Sequence, residues 1–303
     1  MSENSVEALL LWGERQLDEA GVYFGHGTDN ALDEAAYLLA YTLGVEPVFS
    51  EQGLQLTVND EQRKRYQALI QQRIEKRIPA AYLTHQAWFA GLPFYINENV
   101  LVPRSPIAEL IMEGFSPWID INQVSQALDL CTGSGCIGIA LARHFPHLQV
   151  DISDISEQAL QVANKNIQQH QLADRVHAYQ SDLFSGLPDK QYELIVSNPP
   201  YVDAQDMAAL PDEYRHEPEL GLTAGADGLE IVIPMLQQAA KYLRPGGILV
   251  VEVGNSEEAL QARFPQVPFT WLEFEFGGHG VFLLEQQQLV ACQEMFNQTS
   301  ECE

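Results

Sequence analysis

The sequence predicts an α/β protein, a Rossmann-like domain built on seven strands behind an N-terminal helical domain and a connecting β-hairpin. Three observations point there. From about residue 125 onward short apolar runs alternate with helical stretches, the pattern of a parallel sheet covered on both faces. A glycine-rich turn, "LDLCTGSGCIGIALA", follows the first of those runs. In the first eighty-odd residues, apolar side chains recur at helical spacing. With 303 residues and 46% apolar content, the chain can bury a sizeable core and is long enough for two domains.

The elements follow in order. Val6, Leu9, Leu10 and Leu17 share one face of a first helix, and Leu32, Ala35, Ala36, Leu38 and Leu39 one face of a second. Asn59 is placed to cap a third, with Gln62 completing a capping box. After "RIPAAYL" the pattern changes to "AWFAGLPFYINENVLVPRSP", where aromatic and β-branched residues flank Gly91, Leu92 and Pro93, the composition of a hairpin. The chain thus divides into a helical domain over 1–85, expected to recognise the substrate, a hairpin linker over 86–103 and a sheet domain over 104–303. The runs "ALDLC", "LQVDISD", "VHAYQSD", "YELIVSN", "GILVVEVG", "FTWLEFEF" and "GVFLLE" are the seven expected strands. Before the fifth, Arg244 is expected to end a helix, Pro245 to forbid its continuation, and Gly246 with Gly247 to allow the turn. Only "GGH" separates the last two, so they must form a hairpin with one antiparallel strand, unlike a plain dinucleotide-binding sheet. The tail after Glu285 reads as a short helix or as disordered, with no function assigned.

Composition narrows the function. No stretch approaches the ~18 to 20 apolar residues of a membrane span, and "MSENSVEALLLWGERQ" carries Glu3 and Glu7 where a secretory signal is basic. A soluble, cytoplasmic protein is expected. Cys131, Cys136, Cys292 and Cys302 show no zinc or disulfide spacing and read as reduced thiols. His144 and His147 lack an HExxH context, and no metal is expected. The balance of 16 basic against 42 acidic residues gives a net charge of −26, which repels polyanions and attracts basic partners. Arg63, Lys64, Arg65, Arg73, Lys76 and Arg77 nevertheless cluster in one segment. That is either a solvated helix face or a contact for RNA or a ribosomal particle.

Gly133, Gly135 and Gly138 satisfy GxGxxG between strand and helix, where glycines let the backbone approach a ligand and the helix start offers free N–H groups. Alone this is a weak signal. Asp129 is awkward beside a pyrophosphate but suits a cation, which favours S-adenosylmethionine (SAM), with its ammonium and sulfonium, over NAD. Asp154 closes the next strand where an acid would meet a ribose; capping the following helix is the alternative. Asp182 ends the third strand, where it would accept from an adenine amino group with Leu183 and Phe184 walling the ring, or would simply cap.

The stretch "SNPPYVD" ends the fourth strand, at the edge where open α/β sheets bind ligands. Pro199 and Pro200 fix two φ angles and remove two donors, leaving nearby carbonyls as rigid acceptors. With the Asn198 carboxamide they suit a planar NH₂ group, and Tyr201 can stack behind it. Such nitrogens are poor nucleophiles because their lone pair is delocalised. Holding both hydrogens in a geometry that favours a pyramidal nitrogen would assist attack on a sulfonium methyl.

These residues, with "DLCTGSGCIG", "QSDLF", the "LVPRSP" join and "YRHEPELGLTAGADGLE", resemble the HemK family of protein N(5)-glutamine methyltransferases over nearly the whole chain. The resemblance implies a seven-stranded SAM-dependent methyltransferase domain. It implies that Cys131, Thr132, Gly133, Ser134 and Gly135 hold the methionine part of SAM, Asp154 the ribose and Leu183 the adenine surroundings. Asn198, Pro199, Pro200 and Tyr201 would hold the substrate amide, with Asn198 bordering the cofactor as well. "VPRSPIAEL" stands where the release-factor branch commonly has "PRPDTE", and Leu183 where it has tryptophan. "HGTDNALDEA", residues 26–35, resembles the ribosomal-protein (PrmB) branch, which modifies large-subunit ribosomal protein L-three. The implied substrate is that protein or a large-subunit assembly intermediate, with RNA contact through Arg63 to Arg77 left open. Release-factor methylation, adenine methylation of nucleic acid and a non-catalytic assembly module are the competing readings.

Overall fold

The computed structural model describes residues 5–47 and 49–298; Glu3 and Cys302 lie outside them. Helices α1 (Val6–Ala20), α2 (Ala31–Leu43), α3 (Glu51–Leu54), α4 (Asp60–Lys76) and α5 (Ala80–Thr84) form the helical domain. The expected capping box is present at α4, where Asn59 accepts from the Gln62 N–H and Gln62 from the Asn59 N–H. Leu9, Leu17, Ala35, Leu38, Leu39, Tyr66 and Ile70 make the core of this domain. Leu32 turns outward, 40% exposed, because at ~100° per residue it falls off the stripe that Ala31, Ala35 and Leu38 share.

The hairpin pairs β1 (Gln86–Phe89) with β2 (Leu92–Tyr95). Beyond α6 (Ile107–Met112) come β3 (Gln126–Leu130), α7 (Cys136–His144), β4 (Gln149–Asp154), α8 (Glu157–Gln169), β5 (Val176–Gln180), β6 (Tyr192–Ser197), α9 (Ala204–Ala209) and α10 (Val232–Tyr242). After them follow β7 (Leu243–Glu252), α11 (Glu257–Arg263), β8 (Thr270–Trp271), β9 (Val281–Glu285), α12 (Gln286–Ala291) and α13 (Gln293–Asn297). The sheet runs β5-β4-β3-β6-β7-β9-β8, with β9 antiparallel to both its neighbours. Helices α6, α7 and α8 and the hairpin cover one face, and α10 to α13 the other. The order in which strands are added reverses at the parallel pair β3 and β6, so the loops leaving their C-terminal ends face the same crevice.

Three sequence expectations change in detail. Helix α10 stops at Tyr242, not Arg244, and the β6–β7 register jumps from Tyr192↔Leu243 to Leu194↔Ile248. The four residues from Arg244 to Gly247 therefore form a bulge inside a strand, not a turn before it. The sixth strand keeps only Thr270 and Trp271. The chain then swings out through Phe276 and turns back at Gly277, Gly278 and Gly280, all at positive φ, so the connection is longer than "GGH". The tail is helical: Leu289 and Phe296 are buried, and Gln237 donates to the Phe296 carbonyl at 2.8 Å.

The basic segment is also not one solvated face. Arg73 is fully buried, paired to Glu34 at 2.7 Å and to Glu213 at 3.1 Å, while its Nη2 donates to the Tyr23 carbonyl at 2.6 Å. Arg77 donates to the carbonyls of Ala20 and Gly21. Glu213 lies beyond α9, in the sheet domain, so these cations clamp the two domains together. Among the described residues no helix is long and apolar enough to cross a membrane.

Candidate active site

A cavity of about 690 Å³ opens at the C-terminal ends of β3, β4, β6 and β7. Its first wall is the glycine turn after β3. The Thr132 N–H donates to the Ser153 carbonyl at 2.9 Å, tying the turn to β4, and Gly135 N–H donates back to Thr132. Gly133 and Gly135 sit at φ 56° and 81°, the left-handed region that glycine enters without penalty. A Cβ at Gly135 would also stand 3.1 Å from Ile139 and 3.2 Å from Ala163, so this residue lets α7 pack against α8. Asn166 of α8 completes the support, donating to the carbonyls of Ser134 and Tyr95 and accepting from the Tyr95 N–H.

Asp129 does not line the cavity. It is buried beneath the turn, accepting from the Thr132 hydroxyl and from the Gly138 N–H at 2.9 Å. Its other oxygen, Oδ1, has no partner. Burial pushes its pKa up to about 7, against the pull of those two hydrogen bonds. Asp154 does line the cavity; its Oδ2 accepts from Gly133 N–H and its Oδ1 from Ser156 N–H, each at 2.9 Å. The cap of α8 is Ser156, whose hydroxyl accepts from the Ala159 N–H, so Asp154 does not cap that helix, and each of its oxygens keeps a lone pair. Burial raises the Asp154 pKa as well.

Asp182 and Leu183 line the same cavity. Leu183 is held at φ 46° with its carbonyl accepting from Ser181 Oγ at 2.6 Å. Phe184 turns away, contrary to expectation, stacking on Tyr242 at 4.5 Å in the core. Adjacent residues of this left-handed turn point in opposite directions, which residue type alone does not reveal.

Opposite the glycine turn, Asn198, Pro199, Pro200 and Tyr201 leave β6 and line the cavity. The Asn198 carboxamide makes no hydrogen bond within the described chain. Tyr201 Oη donates to Glu252 Oε1 at 3.1 Å, and Ser105 Oγ donates to Glu252 Oε2 at 2.5 Å. A Cβ at Gly254 would stand 2.5 Å from the Tyr201 ring, so that glycine makes room for it. Burial holds the Cys131 thiol well above its usual range and pushes Cys136 up to about 12. Both stay protonated and neither is an activated nucleophile.

The residues present fit a nucleoside with a sulfonium: a backbone-lined turn on one side, carboxylates without buried cations at Asp154 and Asp182, and an apolar wall at Leu183. The methyltransferase small domain family matches residues 109–211, and the PrmC N-terminal domain family residues 8–84. The ribosomal protein uL3 glutamine methyltransferase of Neisseria gonorrhoeae is 47% identical over 287 residues, covering 94% of this chain and 96% of that one. Its counterpart from Neisseria meningitidis serogroup B is also 47% identical, covering 94% of each chain. The chain belongs to the uL3 glutamine methyltransferase family. It is a methyltransferase, and its cofactor is SAM. The hMettl16 catalytic domain, solved with a MAT2A 3'UTR hairpin, is 19% identical with a TM-score of 0.52, covering 81% of this chain and 90% of that one. That likeness shows the shared fold.

In this uL3 glutamine methyltransferase family member, sequence reasoning left two site features unread: Glu252 and Ser105. Glu252 had a usable signal, an acid at the C-terminal end of a central strand. Arg104 is bidentate to Glu217, at 2.7 Å to each oxygen, and Glu217 also accepts from Val102 N–H at 3.0 Å. Burial would push the Glu217 carboxyl up, but the Arg104 guanidinium outweighs it and holds the pKa below the usual range. Arg104 therefore ties the start of the sheet domain, where the linker enters it, to the segment that follows NPPY, and it also lines the cavity.

Proposed function

We propose that this enzyme methylates the side-chain amide nitrogen of a glutamine in large-subunit ribosomal protein uL3, with Asn198, Pro199, Pro200 and Tyr201 as the amide cradle. One observation carries the reading. A carboxamide with no internal partner faces a cavity, at the strand end opposite a SAM-type glycine turn.

Bound SAM supplies an electrophilic methyl group on a sulfonium. The protein's task is to present the amide nitrogen to it. Asn198 Oδ1 accepts one amide hydrogen and the rigid carbonyls of the donor-free Pro199–Pro200 stretch the other. Tyr201, fixed by Glu252 and roofed by Gly254, backs the amide plane. The nitrogen would gain the methyl as that carbon's bond to sulfur breaks, the pair staying on a neutral thioether, and would release one proton to solvent, with no general base required. On the cofactor side, the turn from Cys131 to Gly135 takes the amino-acid end, Asp154 the ribose hydroxyls, and Asp182 with Leu183 the adenine. Asp129 acts beneath the turn by fixing Thr132 and Gly138. An enzyme acting on a ribosomal protein or its assembly intermediate would work in the cytoplasm.

Adenine methylation of nucleic acid is the second reading, and two observations weigh against it. The net charge of −26 repels phosphates, and Arg73 and Arg77 are withdrawn from the basic segment into internal contacts. Incubation with methyl-labelled SAM and, separately, assembling large subunits, a release factor and RNA or DNA tests the assignment. Label on a uL3 glutamine is expected; label confined to release factor or adenine would reject it.

A further inference from the structure

A second cavity, of about 280 Å³, lies where the helical domain meets the hairpin. Val102 and Pro103 line both this cavity and the active site. Its floor includes His26, which is 3% exposed and has no hydrogen-bond partner at either ring nitrogen. The Nε2 atom stands 3.7 Å from Glu217 Oε2, and the ring packs on Tyr214 at 4.5 Å. Asp29 and Asp33 line the cavity and are exposed at its edge. Asn30 Nδ2 donates to Asp33 at 2.8 Å, and no cation pairs with either acid among the described residues. Tyr37 and Trp88 add aromatic wall.

A buried imidazole without partners is costly unless something arrives to satisfy it. Burial, outweighing Glu217, lowers the His26 pKa to about 4. The ring is therefore neutral and offers a lone pair as well as an N–H. A neutral imidazole without hydrogen bonds in the lining, two carboxylates at the mouth and aromatic faces at the side together suit a guanidinium or ammonium on an apolar stem. No anion would be favoured there.

We infer that this cavity receives a cationic side chain of the protein substrate, lysine or arginine, close in its chain to the glutamine presented at Asn198. A substrate segment crossing Val102 and Pro103 would occupy both cavities at once, so the helical domain selects which glutamine enters. The inference rests on the proposed protein-glutamine activity and adds to it a specificity site that includes the 26–35 segment.

The test compares two charge-neutralised forms of the full chain, D29N/D33N at the cavity and D18N/E19Q on the exposed outer side of α1. Binding of uL3 to each SAM-loaded form is measured by calorimetry, and methylation by label transfer. D29N/D33N should weaken uL3 binding and raise its KM by about tenfold, since two partly desolvated charge contacts are lost. Saturating turnover and SAM affinity should not move, and D18N/E19Q should lose less than twofold. Equal losses in both forms would mean general electrostatic attraction and overturn the site, as would unchanged binding in D29N/D33N. Failure of the unaltered chain to label any uL3 glutamine would instead remove the proposed activity, while the binding difference between the two forms still decides the cavity.

Discussion

Replacing Asn198 with alanine separates chemistry from folding. The side chain is half-buried and its carboxamide has no internal hydrogen-bond partner, so truncation strands no buried donor or acceptor elsewhere. The stability cost should stay within about 0.5–1 kcal/mol, a shift of no more than ~2–4 °C in Tm for a chain of this size. Turnover should respond very differently. Loss of one preorganised hydrogen-bonding group aimed at the reacting atoms costs roughly 2.7–4 kcal/mol, or 10² to 10³ in kcat. SAM affinity should remain within about threefold, because Asp154 and the glycine turn stand across the cavity and are untouched. Label transfer to uL3, calorimetric SAM binding and thermal unfolding measure the three quantities. A kcat within threefold of the unaltered enzyme, or a SAM affinity that falls as far as kcat, would refute the assigned role.

Asp154→Ala should do the reverse, weakening SAM binding by about tenfold or more with saturating turnover little changed, because the Gly133 and Ser156 N–H groups also lose their acceptor; calorimetry reads the first and kcat the second. Gly254→Ala should disturb Tyr201, since the new Cβ would stand 2.5 Å from its ring at a φ of 45°; kcat should drop about tenfold or more and thermal stability should fall as well. Asp129 carries a pH signature. Its folded pKa of about 7 exceeds the ordinary 3.8, so the folded state holds a proton that the unfolded state has lost, and stability declines as pH rises from about 4 through 7. Asp129→Asn should abolish that component, and its Tm relative to the unaltered chain should climb between pH 5 and pH 7.5; a constant difference would contradict the buried, proton-sharing role.

Most of the frame was legible because periodicity and punctuation are local. The α4 capping box, the hairpin at Gly91, the parallel strands implied by βα alternation and the final antiparallel pair all rest on residues close in sequence. Eleven of the thirteen expected site positions line one cavity for the same reason, each following a strand end. What escaped depends on distant partners. Arg73 looks like any exposed basic residue until Glu213, 140 positions away, is brought against it. Asp129 was read as facing a cation, but it is buried beneath the turn, where its Oδ2 accepts from Thr132 and Gly138. The sixth strand was overread because "LEFEF" alternates like a strand, whereas three glycines at positive φ turn the chain back toward β9.

The clamp made by Arg73 with Glu213, and by Arg104 with Glu217, limits how such enzymes can diverge. A chimera that grafts a foreign helical domain onto this catalytic half would orphan Glu213, and a foreign join would orphan Glu217, each a nearly dehydrated anion. At about 3–5 kcal/mol for each broken pair, few hybrids would survive. Recombination at the hairpin should accordingly yield insoluble products unless both acids travel with their cations.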